Sequence, residues 1–258
     1  MNIKMLALDL DRTLLRADKS ISDETAAVLR ECRARGILVV FATARAESFC
    51  DRFVEQIAPD GVICNSGALV RLGGKTVARA VLDAPTVDAF LLACAAQPSI
   101  SCITVDTDRG FFVNRQVDED DPEWVDYLPA YYADFSQGLG MEADKIAIET
   151  PCADAVRALS TAFPALAVTP FSGEGWFCFA DAAANKWDGV QAFADAAGID
   201  VAQVAAFGDD YSDIAMLRGC GVGVAVGNAI AQVKAAADVV CGYHDSDGVA
   251  VWIRENVL

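Results

Sequence analysis

The sequence predicts an α/β fold, a parallel sheet interrupted by an α+β insert, on three observations. Strand and helix signals alternate over the first sixty residues and again from about residue 183 to the end. The apolar strand runs finish abruptly at Asp9, Thr43 and Asn65, as buried parallel strands do when their carboxyl ends meet solvent. The stretch from about Pro85 to Asp181 abandons that rhythm. With 258 residues the chain has room for one large domain or two modest ones.

Taken in order, Lys4 to Leu10 is an apolar run ending in acids, a buried parallel strand. Ser22 caps the helix that follows, Asp23 and Glu24 suit its first turn, and Gly36 stops it. Ile37 to Ala42 is the next strand, Ala46 to Glu55 a second helix and Gly61 to Asn65 a third strand, completing βαβαβ. Leu69, Arg71 and Leu72, then Gly73-Gly74, then Thr76 to Ala78 give a hairpin signal. The insert reads as a helix at Thr86 to Ala96, a strand pair around Ile103 and Phe112, an acidic loop at Asp118 to Glu123, and a strand at Lys145 to Glu149. A helix after Pro151 and strands near Val168 and Phe177 complete an α+β unit with an antiparallel sheet. The α/β rhythm resumes with a helix at Lys186 to Ala197 ended by Gly198, a strand at Val204 to Phe207 and a helix through Met216. A strand at Val222 to Val226, a helix at Ile230 to Ala236 and a short strand at Val239 follow. The expected division is a discontinuous core of residues 1–83 and 183–258 around a cap of residues 84–182, with joints near Ala84-Pro85 and Ala182 to Ala184.

Twenty Lys and Arg against 37 Asp and Glu give a net charge of −17, with no basic footprint for nucleic acid or anionic membranes. No run of 18 apolar residues spans a bilayer, and Asp9 interrupts the only apolar run near the start, so no secretory signal is expected and the location is taken as cytoplasmic. The nine cysteines contain no Cys-x-x-Cys pair and read as buried thiols. His244 is the single histidine, read as a loop side chain; without others, multi-histidine metal sites and histidine-based triads drop out. Gly219-x-Gly221 meets Val224 where a dinucleotide fingerprint needs its last glycine.

Four segments carry the chemistry. Asp9-Leu10-Asp11-Arg12-Thr13 sets two carboxylates two residues apart at a strand end, where they can converge on one hard cation while one keeps an oxygen for attack. Thr43, two residues before Arg45, offers a hydroxyl to an oxyanion, and Arg45 is read as pairing with an acid. Lys186 is a point charge able to neutralise a phosphoryl group and hold the nucleophile. Gly208-Asp209-Asp210-Tyr211-Ser212-Asp213 follows another buried strand and adds oxygen ligands for the same cation, with Asp210 read as a helix cap. Singly, each segment has an ordinary structural explanation. Together they bring carboxylates, a hydroxyl and an ammonium to one edge of one sheet.

This series resembles the four motifs of the haloacid dehalogenase (HAD) superfamily, and the insert between the second and third motifs resembles its type IIB, Cof-like capped phosphatases. Asn65-Ser66-Gly67-Ala68, Val226-Gly227-Asn228-Ala229 and Asp247-Gly248-Val249-Ala250 are similar to further short segments of that branch. The resemblance implies a HAD-type Rossmann-like core with a type C2B α+β cap. It makes Asp9 the nucleophile that becomes an aspartyl phosphate and Asp11 the general acid and base. It assigns Mg²⁺ to Asp9, the Asp11 backbone carbonyl, Asp209 and Asp213, and phosphoryl binding to Thr43 and Lys186. The implied partner is a small phosphorylated metabolite such as a sugar phosphate; a phosphomannomutase-like mutase or an idle phosphometabolite sensor are the alternatives. Arg12 stands where that branch has glycine, Ser212 where it has asparagine, and Trp187 where glycine is common.

Overall fold

The computed structural model describes residues 2–258 except Glu119, Pro122, Glu123 and Glu174. It opens with β1 (Met5–Leu8), four apolar residues buried on both faces. α1 (Asp23–Ala34) begins where the Ser22 hydroxyl accepts from the Thr25 N–H and carries Asp23 and Glu24 in its first turn. Gly36, at φ 79°, turns the chain into β2 (Leu38–Ala42). The expected second helix is split into a 3₁₀ turn at Glu47–Cys50 and α2 (Asp51–Ile57). β3 (Gly61–Cys64) leads to the hairpin of β4 (Leu69–Leu72) and β5 (Lys75–Arg79), closed by Gly73 and Gly74 at positive φ.

The second stretch starts with α3 (Ala84–Ala95), capped by Asp83 and primed by Pro85. β6 (Cys102–Thr107), β7 (Gly110–Val113), β8 (Ala130–Tyr132) and β9 (Lys145–Glu149) follow, then α4 (Ala153–Ala162), β10 (Leu166–Pro170) and β11 (Trp176–Asp181). Their sheet runs β10-β11-β9-β6-β7-β8. Alternate residues Ile103, Val105, Ile146, Ile148 and Phe179 form a core with Val87, Phe90 and Leu91 of α3 and Leu159 of α4. The sheet departs from the expected antiparallel pattern at one place, because β8 pairs with β7 in parallel. Three residues are too few to show a period, so β8 left no signal in the sequence. The acidic loop at Asp118 to Glu123 lies partly outside the described residues. Just before it, Arg115 stacks over the Trp124 ring at 4.8 Å.

The chain then returns with α5 (Lys186–Ala197), β12 (Val204–Gly208), α6 (Ile214–Gly219), β13 (Val222–Ala225), α7 (Ala231–Ala236), β14 (Val239–Val240) and α8 (Gly248–Asn256). Among the described residues the first sheet has the order β14-β13-β12-β1-β2-β3-β4-β5, parallel through β3 and antiparallel beyond it. β1 lies between β12 and β2 with Leu8 level with Phe207 and Phe41, so Asp9, Asp209 and Thr43 leave the sheet at the same edge. α8 was not expected from sequence beyond its Asp-Gly-Val-Ala start; its residues Val249, Ala250, Trp252 and Ile253 are buried. Contacts divide the chain into Met1–Arg79 with Asn185–Leu258, and Ala80–Ala184, against the sequence-based limits of 83 and 182. All nine cysteines are free thiols, seven of them buried. No helix among the described residues is long and apolar enough to cross a membrane.

Candidate active site

β1 delivers Asp9 in an extended conformation, and the chain then folds into a wide turn over Leu10–Leu14. The Leu14 and Leu15 N–H groups close it onto the carbonyls of Asp9 and Leu10. Inside the turn Asp11 is extended and Arg12 is left-handed, at φ 58°. The two carboxylates of the Asp-x-Asp pair therefore find different partners. Asp9 Oδ1 accepts from Lys186 Nζ at 2.7 Å. Asp11 receives a two-pronged bond from buried Arg45, Nε to Oδ2 and Nη2 to Oδ1, both 2.7 Å, and a bond from Lys19 Nζ at 2.8 Å.

Lys186 is the first residue of α5, and its side chain is 2% exposed. Gly67 fixes where that helix starts: a Cβ there would stand 2.1 Å from the Asn185 carbonyl oxygen, and its φ is +109°. Besides Asp9, Lys186 Nζ donates to Asp213 Oδ1 at 2.7 Å. The other oxygen, Asp213 Oδ2, accepts the N–H groups of Asp209 and Asp210 at 2.9 and 3.0 Å. Gly208 allows this approach, since a Cβ on it would lie 2.4 Å from Asp213 Cγ. Asp210 caps the short turn at Tyr211–Asp213, as its position implies, and Ser212 sits within that turn. Asp209 Oδ1 accepts from Thr13 Oγ1 at 3.3 Å, and its Oδ2 is 3.7 Å from Arg12 Nε.

Carboxylate oxygens of Asp9, Asp209 and Asp213 lie within 4.8 Å of one another, all three residues buried. Burial, with Asp213 and Asp11 nearby, raises the Asp9 carboxyl to about 7 against the pull of Lys186. Asp209 is raised to about 8 by burial and by Asp9 and Asp213. Burial works against the Lys186 charge, yet Asp213 and Asp9 together hold its ammonium above the ordinary lysine range. Three buried carboxylates thus share one buried ammonium. An oxygen-only donor set with surplus negative charge fits a hard divalent cation such as Mg²⁺. For Asp11 burial is overcome by Arg45 and Lys19, which hold it down at about 2.

A family model of haloacid dehalogenase-like hydrolases matches residues 6–253. The chain belongs to the haloacid dehalogenase-like hydrolases. It is 28% identical over 264 residues to the 5-amino-6-(5-phospho-D-ribitylamino)uracil phosphatase YcsE of Bacillus subtilis, covering 100% of this chain and 97% of that one. It is 26% identical over 284 residues to the pyridoxal phosphate phosphatase YbhA of Escherichia coli, each covered in full at 100%. In fold it is similar to the HAD subclass IIB sugar phosphatase BT4131, with a TM-score of 0.87 at 22% identity and 98% of each chain covered. The expected Cof-like, capped α/β architecture and the phosphatase enzyme class of this family follow.

Within this HAD framework the structure brings Asp9, Lys186, Asp209 and Asp213 together. The Asp11 carboxylate stands outside that carboxylate cluster, held by Arg45 and Lys19. Thr43 is buried just after β2, its hydroxyl accepting from the Arg45 N–H at 3.1 Å. The turn at Asn65–Gly67 braces this loop: Asn65 N–H donates to the Arg45 carbonyl and Ser66 N–H to that of Thr43. Trp187 packs where Gly219 leaves room; a Cβ at Gly219 would lie 2.5 Å from the indole. His244 sits in a surface turn with Nδ1 2.8 Å from the Leu15 carbonyl oxygen. Sequence reasoning gave Thr13 no role and missed Lys19 altogether. Thr13 belongs to the Asp-x-Asp-x-Thr segment and its spacing pointed to it, whereas nothing in a lone loop lysine singles out Lys19.

Proposed function

We propose that this chain is a Mg²⁺-dependent phosphatase of small phosphate monoesters, sugar phosphates or related metabolites, acting through an aspartyl phosphate on Asp9. The observation that carries the reading is the Asp9 carboxylate at the carboxyl end of the central strand. Lys186 holds one of its oxygens, and the other has no hydrogen bond among the described residues. That free oxygen is the nucleophile: it forms the bond to phosphorus as the ester oxygen departs. Lys186 keeps the attacking group oriented and adds positive charge beside the transferring oxygens. Asp213 acts through others, holding Lys186 with one oxygen and the Asp209 and Asp210 backbone with the other. Thr43 is assigned to a phosphoryl oxygen by its place beside Asp9 at the sheet edge.

The cation would be held by the Asp9 and Asp209 carboxylates and the Asp11 carbonyl, and when bound it supplies charge neutralisation for the phosphoryl group. Asp11 as it stands is ionised, the form that takes a proton from the water that hydrolyses the aspartyl phosphate. Giving a proton to the leaving alcohol in the first step requires it to release Arg45 and Lys19. The test is phosphate release from a generic aryl phosphate with Mg²⁺, followed by a panel of phosphorylated metabolites. Asp9→Asn is expected to abolish release while the far-ultraviolet circular dichroism stays unchanged. Normal turnover by that variant would remove the nucleophile assignment, and isomerised sugar phosphate without phosphate loss would identify a mutase.

A further inference from the structure

Arg12 is the feature that this site does not need and nevertheless contains. Its backbone is left-handed, a conformation that strains a side-chain-bearing residue and that glycine adopts freely. Such strain persists where the surroundings hold it in place. Here Asn228 Nδ2 donates to the Arg12 carbonyl oxygen at 2.7 Å, and Asn228 Oδ1 in turn accepts from the His244 N–H. The result is a half-exposed guanidinium with Nε 3.7 Å from Asp209 Oδ2, the oxygen that Thr13 leaves uncovered.

We propose that Arg12 is an internal competitor for the divalent cation: its guanidinium covers the Asp209 carboxylate when no metal is bound and must yield it for metal to enter. The inference rests on the cation site assigned above. A positive charge beside the carboxylate cluster opposes cation entry twice, by standing 3.7 Å from one ligand oxygen and by repelling the incoming ion. It also balances part of the cluster's surplus charge. Because the guanidinium is half-exposed, water and salt screen it and the effect is bounded. Removing it should tighten Mg²⁺ binding about 5-fold, the equivalent of ~1 kcal/mol.

The experiment is calorimetric titration of Mg²⁺ into the purified protein and into Arg12→Asn, Arg12→Gly and Arg12→Lys, with the Mg²⁺-dependent rise in melting temperature as a second readout. Asparagine tolerates the left-handed backbone and removes the charge; glycine also relieves the strain, so it secures a folded variant. Lysine keeps the charge. The expected result is tighter binding in the asparagine and glycine variants and near-native binding in the lysine variant. Affinities within twofold of the parent in both uncharged variants would overturn the proposal. Equal tightening by lysine would overturn it too, by tracing the effect to backbone or shape. If the parent shows no Mg²⁺ binding by either readout, the cation site itself is wrong and the inference falls with it.

Discussion

Lys186 is one of the tightly held charged side chains of the site. Its ammonium is buried between Asp9 and Asp213 and touches one oxygen of each at 2.7 Å. Burying an ammonium or a carboxylate alone is costly, and removing one partner of a buried ion pair leaves the other uncompensated. Lys186→Met, close in size and unable to ionise, should therefore destabilise the metal-free protein by about 3–5 kcal/mol, read as a fall in the urea midpoint with the slope unchanged. A loss under 1 kcal/mol would show that the cluster tolerates its own charge without the lysine. The same residue shows what sequence reveals of a site. Lys186 was visible because it opens a helix after a strand-rich insert, and Asp9 and Asp209 because each ends an apolar run. The hold of Lys186 on Asp9, 177 positions away, was expected from their shared sheet edge, whereas Asp213 as the second acceptor and Lys19 on Asp11 left no local pattern.

The strands and helices that carry these groups were legible to within a few residues wherever the apolar period was long. α5 and β9 occupy the expected spans, because Gly198 and Asn185 mark the ends of one and alternating Ile and Ala the face of the other. The failures have local causes. α2 is shortened because residues 47–50 wind as a 3₁₀ turn, β8 is three residues long, and the buried Val249, Ala250, Trp252 and Ile253 of α8 were not read as a helical face. The Asn65–Gly67 turn shows how one element positions another. Gly67 lets this turn lie against Asn185, the cap of α5, and so sets the height of Lys186 above the sheet. Gly67→Ala brings a methyl to 2.1 Å from the Asn185 carbonyl oxygen and strains a positive φ, so the start of α5 must move. The expected cost is about 2–4 kcal/mol in stability together with loss of turnover, whereas the same substitution at Gly73, where a Cβ meets nothing, leaves turnover intact. Full activity in Gly67→Ala would mean that α5 does not need this support.

The molecule as a whole carries a net charge of −17 and yet is assigned a dianionic substrate. At an ionic strength of about 0.01 M the Debye length is about 30 Å, so the whole surface repels an approaching phosphate; at about 0.15 M it falls to about 8 Å and only the site's own charges count. Within the site Asp9, Asp209 and Asp213 outnumber the buried Lys186, and attraction must come from the cation that the carboxylates recruit. Inorganic phosphate is accordingly expected to bind at least about 10-fold more tightly with saturating Mg²⁺ than with a chelator, a difference of ~1.4 kcal/mol. In the chelator titration, raising potassium chloride from about 0.01 to 0.15 M should strengthen the weak binding, because the long-range field of the −17 chain, which salt screens, is repulsive. Equal phosphate affinity with Mg²⁺ and with chelator would mean that Lys186 and the half-exposed Arg12 suffice to hold the anion, and that the carboxylate cluster serves the fold rather than a metal.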